Sequence, residues 1–316
     1  MKFGKSIKLI FAAILISLAL PISGNSAEKI KVVTTFSVLG DMVKRIGGQH
    51  VVVTSLVGPD GDTHVYQPTP SAAKAMNDSD LLIFNGLSFE GWLDRLVEAS
   101  GFKGIRVVAT KGIEKISYKK GEGHDDHAKD KHDDHAHHDH GEFDPHAWQS
   151  LTNAEIYVNN ITAALVEISP DNAASFYKSR SSYIAEIKAL DNEVREMVSR
   201  LPRDRRTVVT SHDAFQYFGR DYGISFLAPQ GLSTESEASA KDVAHLIKQM
   251  RARRISAVFV ESVTDPRLIQ QIAKETGATI GGTLYPGALS SPSGPASTYL
   301  KMIRHNATML IQALGS

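Results

Sequence analysis

The apolar residues divide most of the chain into short β-branched runs and longer stretches with helical spacing. The runs predict strands at residues 30–35, 51–57, 81–84, 105–109, 207–210 and 257–260, with a last strand that begins at 279. Helical spacing follows them at residues 38–46, 69–76, 92–99, 214–222, 241–253, 266–276 and 298–314. Strands that alternate with helices predict parallel sheets covered by helices on both faces.

The middle of the chain has helical spacing only, from Asn153 to about Leu201, with a break at Pro170. Proline is tolerated in the first turn of a helix, so a second helix of about 30 residues, roughly 45 Å long, can begin there. The two flanking halves resemble each other, because residues 32–37 and 208–213 both begin with two valines and continue into a turn that contains Thr and Ser. We therefore expect an α/β protein of two similar lobes, each a mostly parallel sheet flanked by helices, joined by a long rigid helix.

The N-terminus has the composition of a secretory signal peptide over residues 1–27, with a basic start, an apolar stretch and a small-residue end. The rest is predicted to divide into an N-terminal lobe at 28–168, a linking helix at 169–202 and a C-terminal lobe at 203–316. Cleavage removes three of the 35 basic residues and none of the 35 acidic ones, which leaves a net charge of −3. That charge does not indicate nucleic-acid binding, which needs a concentrated basic face.

The chain contains no cysteine, so we expect neither disulfides nor attachment to lipid through an N-terminal cysteine. A secreted protein without either feature is predicted to be soluble in the periplasm.

Seven of the 13 histidines lie between residues 121 and 141, in a stretch with almost no apolar residue. They are His124, His127, His132, His135, His137, His138 and His140. Such a stretch has nothing to bury, so it is predicted to be a solvated loop. Imidazole and carboxylate together suit borderline divalent metals, and the composition favours metal capture over a plain charged loop.

Three isolated histidines occupy loops around the predicted sheets. His64 follows the strand that ends at Val57, His146 precedes a helix, and His212 stands at a strand end in the second half. Ligands of open α/β sheets bind at the carboxyl ends of the strands, so these side chains can meet in a cleft between the lobes. Each histidine alone is more often an ordinary polar residue, and only their joint placement indicates a metal site.

Four motifs resemble those of the metal-binding solute-binding proteins of ABC transporters, and the zinc-uptake type is the most similar. They begin with Gly61-Asp-Thr-His-Val-Tyr-Gln-Pro-Thr-Pro70 and Asp144-Pro-His-Ala-Trp148. Thr210-Ser-His-Asp-Ala-Phe215 and Gly281-Gly-Thr-Leu-Tyr-Pro-Gly-Ala-Leu-Ser290 follow in the same order. The resemblance covers essentially the whole mature chain. It implies that His64, His146 and His212 bind one metal ion, and that a histidine at the third position favours Zn²⁺ over manganese.

The fourth ligand departs from the family pattern, because Gly287 stands where many relatives have Asp, and Thr63 where some zinc-type relatives have an acid. A water, a residue of the His-rich loop, or a nearby acid such as Glu261 remains open, and water is favoured. Asp144, Asp213 and Glu261 are candidates to orient the histidine rings.

We expect a periplasmic protein that captures Zn²⁺ and delivers it to an ABC permease, as a monomer and with a periplasmic zinc chaperone as a further possible partner. A solute-binding protein for manganese or another divalent metal, and a metal buffer, are the alternatives. A zinc hydrolase is disfavoured, since no acid is tied to the site as a general base and no His-Glu-x-x-His motif occurs. We therefore expect no enzymatic activity.

Overall fold

The computed structural model describes residues 28–118 and 142–315, and shows two four-stranded parallel sheets. The strands of the first are β1 Ile30–Phe36, β2 Val51–Val57, β3 Leu81–Phe84 and β4 Ile105–Val108. Those of the second are β5 Thr207–Val209, β6 Ser225–Leu227, β7 Ala257–Glu261 and β8 Thr279–Leu284. The strand orders, β2-β1-β3-β4 and β6-β5-β7-β8, repeat one topology, so the predicted fold of two similar parallel-sheet lobes is confirmed.

Nine helices surround the two sheets in the described ranges. They are α1 Ser37–Gly47, α2 Pro70–Asn77, α3 Leu93–Ser100, α4 Leu151–Ile168, α5 Ala173–Ser199, α6 Gln216–Tyr222, α7 Ala240–Arg253, α8 Arg267–Thr276 and α9 Tyr299–Leu314. None of the helices in these ranges is both long enough and apolar enough to cross a membrane. The predicted signal peptide and the His-rich stretch lie outside the described residues.

Strand β6 is the one regular element here that the apolar pattern did not predict. It has three residues, of which only Phe226 is buried, too few to show a period. The long helix α5 has 27 residues, because Pro170–Asn172 forms a 3₁₀ turn before it. The division at residues 168 and 203 stays a prediction.

A large apolar cluster passes through both halves of the chain. It includes Val33 and Leu82 of the first sheet, Phe259 of the second, and Leu310 of the last helix. Helix α5 packs against α1 and α4 of the first half of the chain and against α6 and α9 of the second. The lobes therefore share buried apolar surface, and separating the lobes would expose that surface to water.

Loops at the strand ends also join the lobes. The amide of Asp60 donates to the carbonyl of Leu289 at 2.8 Å, and the amide of Leu289 donates to Ser37 Oγ at 3.0 Å. Trp148 Nε1 donates to the carbonyl of Pro286 at 2.8 Å. These bonds hold the loop after β2 and the loop after β8 against each other, beside the cleft in which the three histidines lie.

Candidate metal centre

His64 is held by a tight turn in the loop after β2. Its amide donates to Asp62 Oδ1 at 2.9 Å, and Trp92 Nε1 donates to the carbonyl of Thr63 at 2.9 Å. Asp62 Oδ2 in turn accepts a hydrogen bond of 2.5 Å from Thr234 Oγ1 of the other lobe. Asp side chains commonly fold back on the backbone amide two residues on, so this sequence favours the turn locally.

His146 sits in a turn of the same kind. Its amide and its Nδ1 both contact Asp144 Oδ1, at 2.9 and 2.8 Å. Asn85, at the end of β3, donates through Nδ2 to the carbonyl of Pro145 at 2.8 Å. With Nδ1–H donated to the carboxylate, Nε2 carries the lone pair that a metal needs.

His212 follows β5 and is fixed by Glu261 at the end of β7. Glu261 Oε2 lies 2.5 Å from His212 Nδ1, while Oε1 accepts from the amides of Ser211 and His212 at 3.0 and 3.1 Å. Both carboxylate oxygens are thus used to orient the ring and its loop. This arrangement favours an orienting role for Glu261 over the role of fourth ligand.

The three rings converge on one point. The Nε2 atoms of His64 and His146 lie 3.3 Å apart, and one ligand atom from each of the three histidines lies within 4.8 Å of the others. Two nitrogens bound to the same zinc ion at 2.0–2.1 Å in tetrahedral geometry are separated by about 3.3–3.4 Å. The spacing of the first pair therefore suits a tetrahedral zinc centre.

Burial affects the titration of the site in two opposite ways. It lowers the pKa of His146 well below the usual range, which keeps that ring neutral, and it raises the pKa of Asp144 to about 7. Burial also acts to lower the pKa of His212, but the charge and hydrogen bond of Glu261 outweigh it, so that pKa is raised. Of these two histidines, His212 is therefore the one at which protonation would compete with metal binding.

The remaining face of the site is largely apolar. A cavity of about 10 Å³, about the space of one water molecule, is lined in the described residues by the three histidines together with Gly61, Asp62, Thr63, Phe89, Val263, Pro286 and Gly287. A Cβ on Gly287 would lie 3.3 Å from Trp148 Cζ2 and 4.0 Å from Phe89 Cζ, so a side chain there needs a small shift of the indole. No carboxylate enters the site from this position.

The other predicted site residues are placed as follows. Asp213 is partly buried and accepts a hydrogen bond of 2.6 Å from Gln216, but in the described ranges no hydrogen bond joins it to a ligand ring. Burial raises its pKa to about 6. His245, which no motif includes, is exposed on α7 and hydrogen-bonds Gln249. The seven histidines of residues 121–141 lie outside the described residues.

Asp62 and Phe89 adjoin the site but were not identified from the sequence. Thr63, noted there only as the place of an acid in some relatives, also lines the cavity. The Asp-x-His spacing occurs at both Asp62 and Asp144, and this repeat could have indicated two equal turns. No comparable signal marks Phe89, whose ring contacts those of His64 and His146 with centroids 4.8 and 5.9 Å away. Its place depends on a loop with positive φ at Leu87 and Ser88, which is held by Glu90.

Known proteins are similar to this chain in both sequence and fold. The sequence profile of the family described as ZnuA, "Zinc-uptake complex component A periplasmic", matches residues 32–313. The iron-binding protein YfeA of Yersinia pestis is 35% identical over 292 residues, which are 92% of this chain and 88% of that protein. The manganese-binding lipoprotein MntA of Bacillus subtilis (strain 168) is 33% identical over 299 residues, 92% of each chain.

Two solved structures are similar throughout. The Mn-bound periplasmic metal binding protein from Candidatus Liberibacter asiaticus has a TM-score of 0.77 and 32% identity, and the match covers 90% of this chain and all of that one. The periplasmic zinc binding protein TroA from Treponema pallidum has a TM-score of 0.80 and 29% identity, covering 90% and 99%. The profile, the relatives above 30% identity and the common fold together show that this chain belongs to the ZnuA family of metal-binding substrate-binding proteins of ABC transporters.

Proposed function

We propose that this protein captures Zn²⁺ outside the cytoplasm and delivers it to an ABC permease. The observation that carries the proposal is the convergence of His64, His146 and His212, two of them with Nε2 atoms 3.3 Å apart. Three neutral imidazoles form a ligand set that zinc accepts readily, and zinc keeps a fourth position for water in such sites. The cleavable signal sequence predicted at residues 1–27 would place the protein in the periplasm.

The choice of zinc over manganese depends on the absence of a charged ligand. Mn²⁺ prefers carboxylate and water oxygens, whereas imidazole suits zinc. In this site Glu261 and Asp144 contact Nδ1 atoms rather than the metal position, and Gly287 offers no side chain. Asp62 lines the cavity, but its carboxylate accepts from the His64 amide and from Thr234, which favours a role in the turn over that of a ligand. The cavity that the rings line is about 10 Å³, too small for an organic ligand beside a metal ion, so a water is the fourth ligand in this proposal.

Manganese or iron is the second candidate, and a specific observation favours it. The relatives at 35% and 33% identity are named for iron and manganese, and similar structures contain manganese or cadmium. A protein that buffers zinc without a permease is a further alternative. It would share the site but would not pass its metal to a membrane partner.

The roles of the remaining parts follow from this proposal. Asp144 and Glu261 would hold the rings, and the seven histidines of residues 121–141 would collect metal weakly near the cleft. The protein would act as a monomer, with a periplasmic zinc chaperone as a possible donor. No catalytic step is needed for this task.

Metal content after purification without chelator tests the proposal, followed by competition among zinc, manganese and nickel. We expect one tightly held zinc per molecule that a hundredfold excess of manganese does not displace. A protein that loads manganese or iron in preference to zinc would support the second candidate. Transfer of bound zinc to vesicles that contain the cognate permease would separate transport from buffering.

A further inference from the structure

Several buried hydroxyl groups without a hydrogen-bond partner lie in the loops that form the site. In the described part of the chain, the buried and unpartnered hydroxyl oxygens include those of Thr63, Ser211, Ser262 and Thr264. All four belong to the loops that carry His64, His212 or Val263 of the cavity wall. A buried polar atom left without a partner costs stability, so its persistence calls for a compensating use.

Thr63 differs from the other three because it also lines the cavity beside the rings. It is 3% exposed, and its backbone is fixed by the bond from Trp92 Nε1 to its carbonyl at 2.9 Å. The side chain lies next to His64 in the chain, and its hydroxyl has no hydrogen-bond partner among the described residues.

The other residues of the cavity wall either have a hydrogen-bonded side chain or have no polar side chain at all. Both carboxylate oxygens of Asp62 accept hydrogen bonds, one from the amide of His64 and one from Thr234. Gly61 and Gly287 have no side chain, and Phe89, Val263 and Pro286 are apolar. Among the described residues of this wall, apart from the three histidines, Thr63 is the one with a side-chain polar atom that has no hydrogen-bond partner.

The geometry points to Thr63 as a positioning residue, whose hydroxyl hydrogen-bonds the small exogenous ligand that completes the coordination of the metal. This inference rests on the proposed function, since it takes the three histidines as the metal ligands. The cavity of about 10 Å³ has no room for an organic ligand beside a metal ion, so the partner of Thr63 is a water or hydroxide. In this proposal the hydroxyl of Thr63 and a water take the place of the carboxylate that an Asp at position 287 would supply.

Substitution of Thr63 by Val removes the hydroxyl and keeps the shape of the side chain. We expect T63V to weaken zinc binding about tenfold, the effect of one hydrogen bond, as measured by competition with a chromophoric chelator. T63S keeps the hydroxyl and should stay within threefold of the unmodified protein. T264V is the matched control, because it removes a hydroxyl that is equally unpartnered but does not line the cavity, and it should change the affinity less than twofold.

Two further readouts separate positioning from a structural effect. The metal-free T63V protein should unfold at the same or a higher temperature than the unmodified one, because a buried unpartnered group has been removed. The Co²⁺-loaded form should show a visible absorption band altered in position or intensity in T63V and unaltered in T63S and T264V, since that band depends on the coordination geometry.

Zinc affinity of T63V within twofold of the unmodified protein would overturn the inference while leaving the three-histidine site intact. A weakened affinity with an unaltered Co²⁺ band would also overturn it, by assigning Thr63 a structural role. If the unmodified protein bound neither zinc nor cobalt, the proposed function itself would be wrong.

Discussion

Thr234 Oγ1 donates a hydrogen bond of 2.5 Å to Asp62 Oδ2, although the two residues are 172 positions apart in the chain. The bond joins a loop of the second lobe to the turn that carries His64. Because Asp62 also accepts from the His64 amide, Thr234 stabilises the turn that aims one of the three rings.

Loss of the Thr234 hydroxyl should therefore loosen this turn. We expect T234V to speed zinc dissociation by about tenfold, since a hydrogen bond to a charged acceptor contributes about 1.5 kcal/mol or more. Stopped-flow release into excess chelator measures the rate. T234S keeps the donor and should release zinc at the unmodified rate; equal rates in T234V and T234S would show that the contact does not support the site.

Removal of either histidine that faces across the cleft should abolish tight binding. We expect H64A and H212A to lose at least a hundredfold in zinc affinity, more than the 10- to 100-fold typical for residues that only orient a ligand. Competition titration measures the loss. H245A removes an exposed histidine on α7 and serves as the control; affinities of H64A within twofold of H245A would mean that the assigned centre is wrong.

Zinc binding should weaken as the pH falls, and Glu261 should set where this begins. Its charge raises the pKa of His212 against the opposing effect of burial, so below that raised pKa the ring is protonated and cannot bind. E261Q removes the charge, so we expect 10- to 100-fold weaker binding at pH 8 but a loss of binding that begins at lower pH. Zinc affinity measured from pH 5 to pH 8 tests both effects, and an unshifted onset would contradict the assigned cause.

A carboxylate introduced at residue 287 should take the fourth position. We expect G287D to bind zinc about tenfold more tightly and to gain more for manganese, which prefers oxygen ligands. G287A is the control, because it adds the Cβ that lies 3.3 Å from Trp148 without adding a ligand. No gain in G287D relative to G287A would indicate that a protein group already completes the site.

Removal of residues 121–141 should affect metal capture but not the tight centre. The ends of this stretch are already neighbours, since the amide of Tyr118 donates to the carbonyl of Glu142 at 2.9 Å and Ser117 pairs with Phe143. A short glycine linker can therefore close the gap. We expect the metal stoichiometry to fall to one and loading to slow. Loss of the remaining zinc would instead show that the stretch supplies an essential ligand.

Much of this architecture could be predicted because its signals are local. Runs such as residues 51–57 and 81–84 are β-branched or apolar enough to mark strands, and histidines at strand ends of one topology meet in a cleft. The supporting contacts could not be predicted in the same way. The partner of Asp62 lies in the other lobe, and the unpartnered state of Thr63 Oγ1 depends on what every neighbouring loop leaves unused.

The apolar cluster that passes through both lobes restricts how far one lobe can move relative to the other when metal binds. Under the proposed function, a permease that detects a large closing motion of the two lobes would find little difference between the metal-bound and the metal-free protein. We instead expect the metal-bound and metal-free forms to differ in the few turns that hold the histidines. A transporter that accepts only the full form would then have to contact those turns directly.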